Sequence, residues 1–283
     1  MKSQKLRIDT PSGRLKLIVL RPDCQSGQEG EPATEQAKLP GILWIHGGGY
    51  AVGMAAMVHA SCGKLLAEEY GAVVVSPEYR IALRAPYPAA LEDCYAALLY
   101  MHYHADELGI DRDRIVVGGE SAGGGLAVAT CLLARDMGDV NVAMQIPLYP
   151  MLDCEDTLSS RDNHGKIWNT QRNHWGWSRY LDGLNDPVGE GRADCVSKYA
   201  SPARETDFSG LPPCYTFVLD GEPFFIETLD YVRNLRTAGV DAHVDVFHGD
   251  THAFDMFRFW TFEAKEAKRR LCAAYERVIG DDI

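Results

Sequence analysis

The sequence predicts an α/β protein built on a mostly parallel, eight-stranded sheet, with helices on both faces and one small insertion. Three observations carry that prediction. Short apolar runs alternate with longer stretches of helical period along most of the 283 residues, the pattern of strand–helix–strand crossovers. The runs fit strands of a parallel sheet buried on both faces. One stretch alone, residues 154 to 198, breaks the alternation.

The chain opens on two β-rich runs, Leu6 to Ile8 and Leu15 to Leu20, around the turn Thr10-Pro11-Ser12-Gly13. This reads as an antiparallel hairpin. Residues 22 to 40 read as a polar loop. Six further strand candidates follow at 41–45, 72–76, 114–118, 143–147, 215–219 and 243–247. Helical periodicity covers 58–69, 88–104, 122–136, 227–237 and 261–278, with Gly71, Gly138 and Gly239 as stops. Parallel neighbours joined by helices require right-handed crossovers. Residues 154 to 198 hold Trp168, Trp175, Trp177 and Tyr180 among Asn, Asp and Arg, without a strand pattern. We read them as an insertion over the sheet edge where ligands bind in open α/β sheets. The expected organisation is a core of residues 1–153 and 199–283 with a cap of residues 154–198.

Composition excludes several function classes. With 40 acidic against 28 basic residues the net charge is −12, which repels phosphate backbones and anionic lipid surfaces. No nucleic-acid partner and no membrane association are therefore expected. The longest apolar stretches, Leu15 to Leu20 and Ala72 to Val75, are too short to cross a bilayer, and the start MKSQKLRIDTPSG has no apolar signal core. A cytoplasmic location is expected. Eight cysteines form no CxxC pair and sit mostly in apolar or helical context, as buried free thiols do. Neither a disulfide framework nor a zinc site is expected.

Chemistry concentrates in two glycine-rich turns. Gly119-Glu120-Ser121-Ala122-Gly123 has the form GxSxG and lies between the strand candidate 114–118 and the helix candidate 122–136. A serine on such a strand-to-helix turn exposes its hydroxyl, and the flanking glycines keep Cβ atoms off nearby backbone. His46-Gly47-Gly48-Gly49 follows the strand candidate 41–45, and successive glycines let backbone amides reach a developing oxyanion. The GxGxxG and GK[ST] patterns of phosphate loops are missing.

A serine hydroxyl needs a histidine base and a carboxylate to orient it. Downstream of Ser121 stand His164, His174, His243, His248 and His252. Position favours His252, in the loop before the last helix, with His248 as the alternative. For the acid, Asp220, Glu222 and Glu227 follow the strand candidate 215–219; Glu222, before Pro223, is the best placed. Asp250 and Asp255 read as a turn residue and a helix N-cap.

With HGGGY, GESAGG and the order serine, acid, histidine in hand, the sequence resembles the hormone-sensitive-lipase-like esterases of the α/β-hydrolase fold. Arg80 and Ala82 in SPEYRIALRAPYPAALEDCYAAL match that family, as do QIPLYPMLD, YASPARETDFSGLPP and HGDTHAF, over about residues 38 to 260. The resemblance implies Ser121 as nucleophile, His252 as base, and Gly48, Gly49 and Ala122 as backbone donors to the oxyanion. It also implies departures. The family's acid is an Asp in a DPLxDE segment; this chain reads EPFFIE, so Glu222 takes the Asp position and Glu227 matches the last Glu. Glu120 stands where Asp or Thr is usual, and Leu83-Arg84 replace a common Pro-Glu pair. Only 45 residues precede His46, fewer than is usual, so the N-terminal half of the family's cap is expected to be absent. The three cap tryptophans either line an acyl or alcohol pocket or pack the cap onto the sheet.

The function this implies is hydrolysis of carboxylic esters through an acyl-enzyme, with a small-molecule ester as substrate and no cofactor or metal; the lack of a long apolar lid segment and the −12 charge point further to small, short-acyl esters. Amide or formamide hydrolysis by the same residues is the alternative. A non-catalytic ligand receptor is the third reading: plant hormone receptors that resemble this family lack the histidine, whereas His252 is present here. The resemblance further implies a homodimer paired through the edge of the strand at 243–247.

Overall fold

A computed structural model describes residues 1–23, 38–182 and 196–280 of the chain. Cys24, Cys195, most of the expected 22–40 loop and residues 183–195 of the expected cap lie outside the described residues. Strands β1 (Lys2–Thr10) and β2 (Gly13–Arg21) form the hairpin, with Pro11-Ser12 as a two-residue connection. Gly13 closes it at φ +119, a conformation that only glycine adopts without strain.

The sheet continues through β3 (Leu39–Ile45), β4 (Val73–Pro77), β5 (Ile110–Glu120), β6 (Met144–Leu148), β7 (Cys214–Leu219) and β8 (Ala242–Phe247). Its order is β1-β2-β4-β3-β5-β6-β7-β8, antiparallel at β1–β2 and β2–β4 and parallel everywhere else. Eight strands with helices on both faces form the α/β-hydrolase architecture that the resemblance implies.

The central strands are apolar on both sides because helices cover both. On one face, α1 (Cys62–Tyr70) and α8 (Phe262–Ile279) pack with Ile42, Trp44, Val74, Val116 and Phe217. On the other, α2 (Ala89–Tyr103), α4 (Ala122–Met137) and α6 (Phe225–Thr237) pack with Leu43, Ile45, Val75 and Val117. The two-residue period of a strand thus sends consecutive β3 side chains into separate cores. Gly71 and Gly138 stop α1 and α4 in the left-handed conformation, and Gly239 follows the end of α6 at φ +82. Arg80 anchors α2: its Nε donates to Asp93 Oδ2 and its Nη2 to Asp93 Oδ1, both at 2.9 Å.

Several boundaries differ from the expectation. The strand β3 begins at Leu39, inside the expected loop, and β5 begins at Ile110, because a register shift between Pro40 and Gly41 lets the polar start of β5 pair with it. Short α3 (Ala105–Leu108) fills the turn between α2 and β5. Inside the expected cap lies an unexpected helix, α5 (Thr170–Tyr180). Its Asn, His, Gly and Trp are poor helix formers, but Asn169 caps it by accepting the Arg172 amide and tertiary packing holds it. Among the described residues no helix is long and apolar enough to cross a membrane.

Candidate active site

The loops at the carboxyl ends of β3, β5, β7 and β8 meet over the sheet. Ser121 sits between β5 and α4 at φ 58, ψ −122, a backbone conformation that costs of order 1–3 kcal/mol for a non-glycine residue. Neighbouring backbone holds it there: its amide donates to Leu148 O and its carbonyl accepts from the amides of Gly125 and Met151, all at 3.0 Å. A Cβ at Gly119 or Gly123 would run into the Ile45 carbonyl oxygen, so the glycines of GxSxG are steric requirements of the elbow.

Ser121 Oγ donates to His252 Nε2 at 2.8 Å, and His252 Nδ1 donates to Glu222 Oε2 at 2.5 Å. The second bond sets the tautomer, because a hydrogen on Nδ1 leaves Nε2 free to accept. The other oxygen, Glu222 Oε1, accepts the Leu219 amide at 2.9 Å. Ser121 is 6%, His252 4% and Glu222 0% exposed, so water does not compete for either bond. Tyr149 and Phe224 stand edge-on to the imidazole at 5.1 and 5.0 Å between centroids and restrict its rotation.

The glycine turn after β3 faces this chain of bonds. Gly48 (φ +124) and Gly49 (φ +56) are both left-handed, and a Cβ on Gly48 would strike the Val52 carbonyl. Among the described residues no acceptor takes the amides of Gly48, Gly49 or Ala122. His46 is buried and stacked on Tyr79 at 4.1 Å. Burial pushes its imidazole down to about 4, so the neutral ring spends its Nδ1 hydrogen on Gly47 O at 2.8 Å and stiffens the turn.

Residues 42–256 match the family model described as the alpha/beta hydrolase fold. The chain is 30% identical to the esterase LipI of Mycobacterium tuberculosis, over 97% of this chain and 81% of that one. The chain belongs to the hormone-sensitive-lipase-like esterases. An ethyl acetate hydrolase of Pseudomonas putida is 30% identical over 80% of this chain and 68% of its own length. The solved structure titled bacterial heroin esterase superposes with a TM-score of 0.88 at 35% identity, covering 98% of this chain and 84% of that one. This protein is a carboxylic-ester hydrolase, and the receptor alternative falls away.

In this esterase the runner-up residues sit apart from the serine. Asp220 and His248 bond to each other, His248 Nδ1 to Asp220 Oδ2 at 2.9 Å, with the imidazole 95% exposed. Glu227 is buried in α6, where it accepts the amides of Leu152 and Asp153 at 2.7 and 2.5 Å and ties the segment after β6 to that helix. Burial, ahead of the neighbouring Asp153 charge, pushes its carboxyl well above the usual range. Of the other histidines, His174 bonds Asp156 and His243 lies beside Asp245.

The expectation that Asp255 is an N-cap is corrected. Ala253, at φ 56, occupies the cap of the four-residue α7 (Phe254–Phe257), and Asp255 turns inward to 0% exposure. Of the three tryptophans, only Trp168 comes to the site: its ring lies against Gly49 and 6.5 Å from the His252 ring. Its Nε1 donates to Asn173 Oδ1 at 3.3 Å. Trp177 is 3% exposed and packs in the core beside Tyr50 and Tyr180, and Trp175 is 38% exposed. The helical period of α5 explains the split, since Asn173, Gly176, Trp177 and Tyr180 share its buried face.

Two residues of the expected cap that the sequence does not single out bond to the loop that carries Glu222. Ser159 Oγ donates to Pro223 O at 2.7 Å, and Asn163 Nδ2 donates to Gly221 O at 3.1 Å. These contacts join residues about 60 positions apart, a separation that no local pattern reports.

Proposed function

We propose that this esterase hydrolyses small, short-acyl esters through an acyl-enzyme, with Ser121 as nucleophile, His252 as proton carrier and Glu222 as the orienting carboxylate. The observation that carries this reading is the buried chain of hydrogen bonds from Glu222 through His252 to Ser121. Ser121 Oγ attacks the carbonyl carbon as its proton passes to His252 Nε2. Glu222 stabilises the imidazolium, and the amides of Gly48, Gly49 and Ala122 receive the negative oxygen. His252 then protonates the departing alcohol, and water repeats the sequence to free the acid.

The short-acyl preference is supported by Trp168, a bonded ring standing against Gly49, and by the likeness to an ethyl acetate hydrolase. Residues 154–198 act as the cap on a core of 1–153 and 199–283, a division supported by the Ser159 and Asn163 bonds to the acid loop. The strand β8 ends the sheet, and its outer edge supports pairing with a second copy, which light scattering would read as a dimer.

A fluorophosphonate should label Ser121 alone, with the adduct located by mass spectrometry; an adduct on another serine overturns the assignment. The substrate reading is tested by kcat/KM across p-nitrophenyl esters of rising acyl length and the matching anilides, below and above the solubility limit. Short esters should lead. A maximum at long chains, a rise at the interface or preference for the anilides would each replace the short-ester reading.

A further inference from the structure

Beside the serine and after His252 lie two buried carboxyls that the mechanism above does not use. Glu120, the residue before Ser121, is 4% exposed, and Asp255, three residues after His252, is 0% exposed. Glu120 Oε2 accepts from Trp44 Nε1 at 2.8 Å, while its Oε1 is buried with no hydrogen-bond partner among the described residues. Asp255 is better provided: Tyr149 OH donates to Oδ1 at 2.7 Å and Cys62 Sγ to Oδ2 at 3.4 Å. Two negative charges buried near each other are costly, so one of the two carboxyls keeps its proton. Asp255, with two donors, favours the charge. Glu120, with one side-chain donor and an orphaned oxygen, favours the proton.

We propose that Glu120 and Asp255 are a one-proton positioning pair, with the proton on Glu120, that braces the serine elbow and the His252 loop. Glu120 moves with Ser121 because the two are consecutive. Asp255 fixes α7, the helix that follows His252, and it also holds the Tyr149 ring that stands edge-on to the His252 imidazole. The pair therefore sets the distance between the hydroxyl and the imidazole. This inference rests on the reading of Ser121 and His252 as the reacting groups.

The charges around the pair agree with that proton. Burial first, then the Asp255 charge, raises the Glu120 carboxyl to about 8, against the lowering influence of Trp44 on β3 and of the Cys62 and Glu120 backbone amides. Asp255 is raised by burial, opposed by Tyr149, by Lys268 on α8 and by Cys62 on α1. The Cys62 thiol and the Tyr149 phenol are themselves raised by burial and stay neutral donors. Above about pH 8 Glu120 ionises, two negative charges meet beside the serine, and the brace loosens. The same proton is coupled to stability. The folded chain keeps it up to about 8 while an ordinary glutamate releases it near 4.5, so folding stability falls as pH rises between those values.

The test compares wild type, Glu120→Gln and Glu120→Ala. In wild type kcat/KM should decline on the alkaline side with a midpoint near 8. Glu120→Ala, which orphans the Trp44 donor, should lose about 10²-fold. Glu120→Gln, a neutral isostere, should recover most of that loss and lack the alkaline decline, with the acid limb unmoved. A residue needed only for packing would leave the alkaline limb where it is in Glu120→Gln, and that result overturns the proposal. If Glu120→Gln does not fold, Trp44→Phe removes the bond that lowers Glu120 and should move the limb to higher pH; a limb unmoved or lowered overturns the proposal. Infrared spectra of the Ser121→Ala variant provide a readout without turnover. The difference spectrum between Ser121→Ala and Ser121→Ala/Glu120→Gln, in which the Glu227 carboxyl cancels, should show a protonated carboxyl band persisting to about pH 8 even if the assignment of the reacting groups is wrong. Absence of that band above pH 6 overturns the one-proton pair alone.

Discussion

Two acid–histidine pairs lie on the same two loops of this esterase, and they differ in nearly every physical respect. Glu222 and His252 are buried, and the imidazole continues to Ser121. Asp220 and His248, respectively two and four residues earlier, are bonded just as directly, but the imidazole is 95% exposed. The residue types suit the same chemistry, so the difference lies in surroundings. In the buried pair Leu219 N–H fixes the second carboxylate oxygen, and Tyr149 and Phe224 flank the ring. In the exposed pair water competes for each bond, and such pairs contribute little. A histidine beside an acid becomes a proton carrier only where the fold brings it to the group whose proton it takes.

The comparison breaks most visibly at the histidines. Replacing His252 by Ala should cost about 10⁶-fold in kcat, as removing the base does in other serine hydrolases, while His248→Ala should leave kcat unchanged. Equal losses in the two variants would mean that the exposed pair also carries protons. The acids should differ less sharply: Glu222→Gln should cost about 10⁴-fold by leaving His252 in the wrong tautomer, and Asp220→Asn should cost nothing measurable. A larger loss in Asp220→Asn would exchange their roles.

Trp168→Ala tests how far the buried site's walls set its selectivity. Removing the ring against Gly49 should raise the kcat/KM ratio of an octanoyl to an acetyl ester by about tenfold, the scale on which apolar pockets discriminate. The equivalent change at Trp175, which is partly exposed, should leave the ratio unmoved.

The smallest effect belongs to the exposed pair. Asp220 raises the His248 imidazole above its ordinary 6.5, and His248 in turn holds the Asp220 carboxyl below its ordinary value. The stabilisation from His248 is present below 6.5 and is lost as pH rises through its raised value. In an NMR titration Asp220→Asn should bring His248 back toward 6.5 without changing kcat. An unmoved His248 would mean that the bond between them does not persist in solution.

Much of this molecule was legible before its structure, for reasons specific to each residue. GxSxG and HGGG demand glycine because backbone approaches backbone there, and that demand is written within five residues. The central strands β3, β4, β6 and β7 were legible because burial on both faces makes them mostly apolar. Helix α5 was not, because its Gly176 and Trp177 are chosen for contact with Gly49 and Tyr50 rather than for helix propensity. Asp255 was misread because acids after a turn commonly cap helices, and nothing near it in sequence announces Tyr149 and Cys62 as partners.

The sequence by itself determined the order of strands and helices, the turn that exposes Ser121, the glycine loop opposite it and a short set of acids and histidines to complete them. Each of those is a local matter of backbone sterics and of apolar period. Tertiary structure decided which acid and which histidine meet the serine, which of three tryptophans reaches the site, and that Glu120 and Asp255 are buried beside it. Those choices depend on distances between chain segments 30 to 131 residues apart, and such distances exist only once the sheet has assembled its loops on one edge.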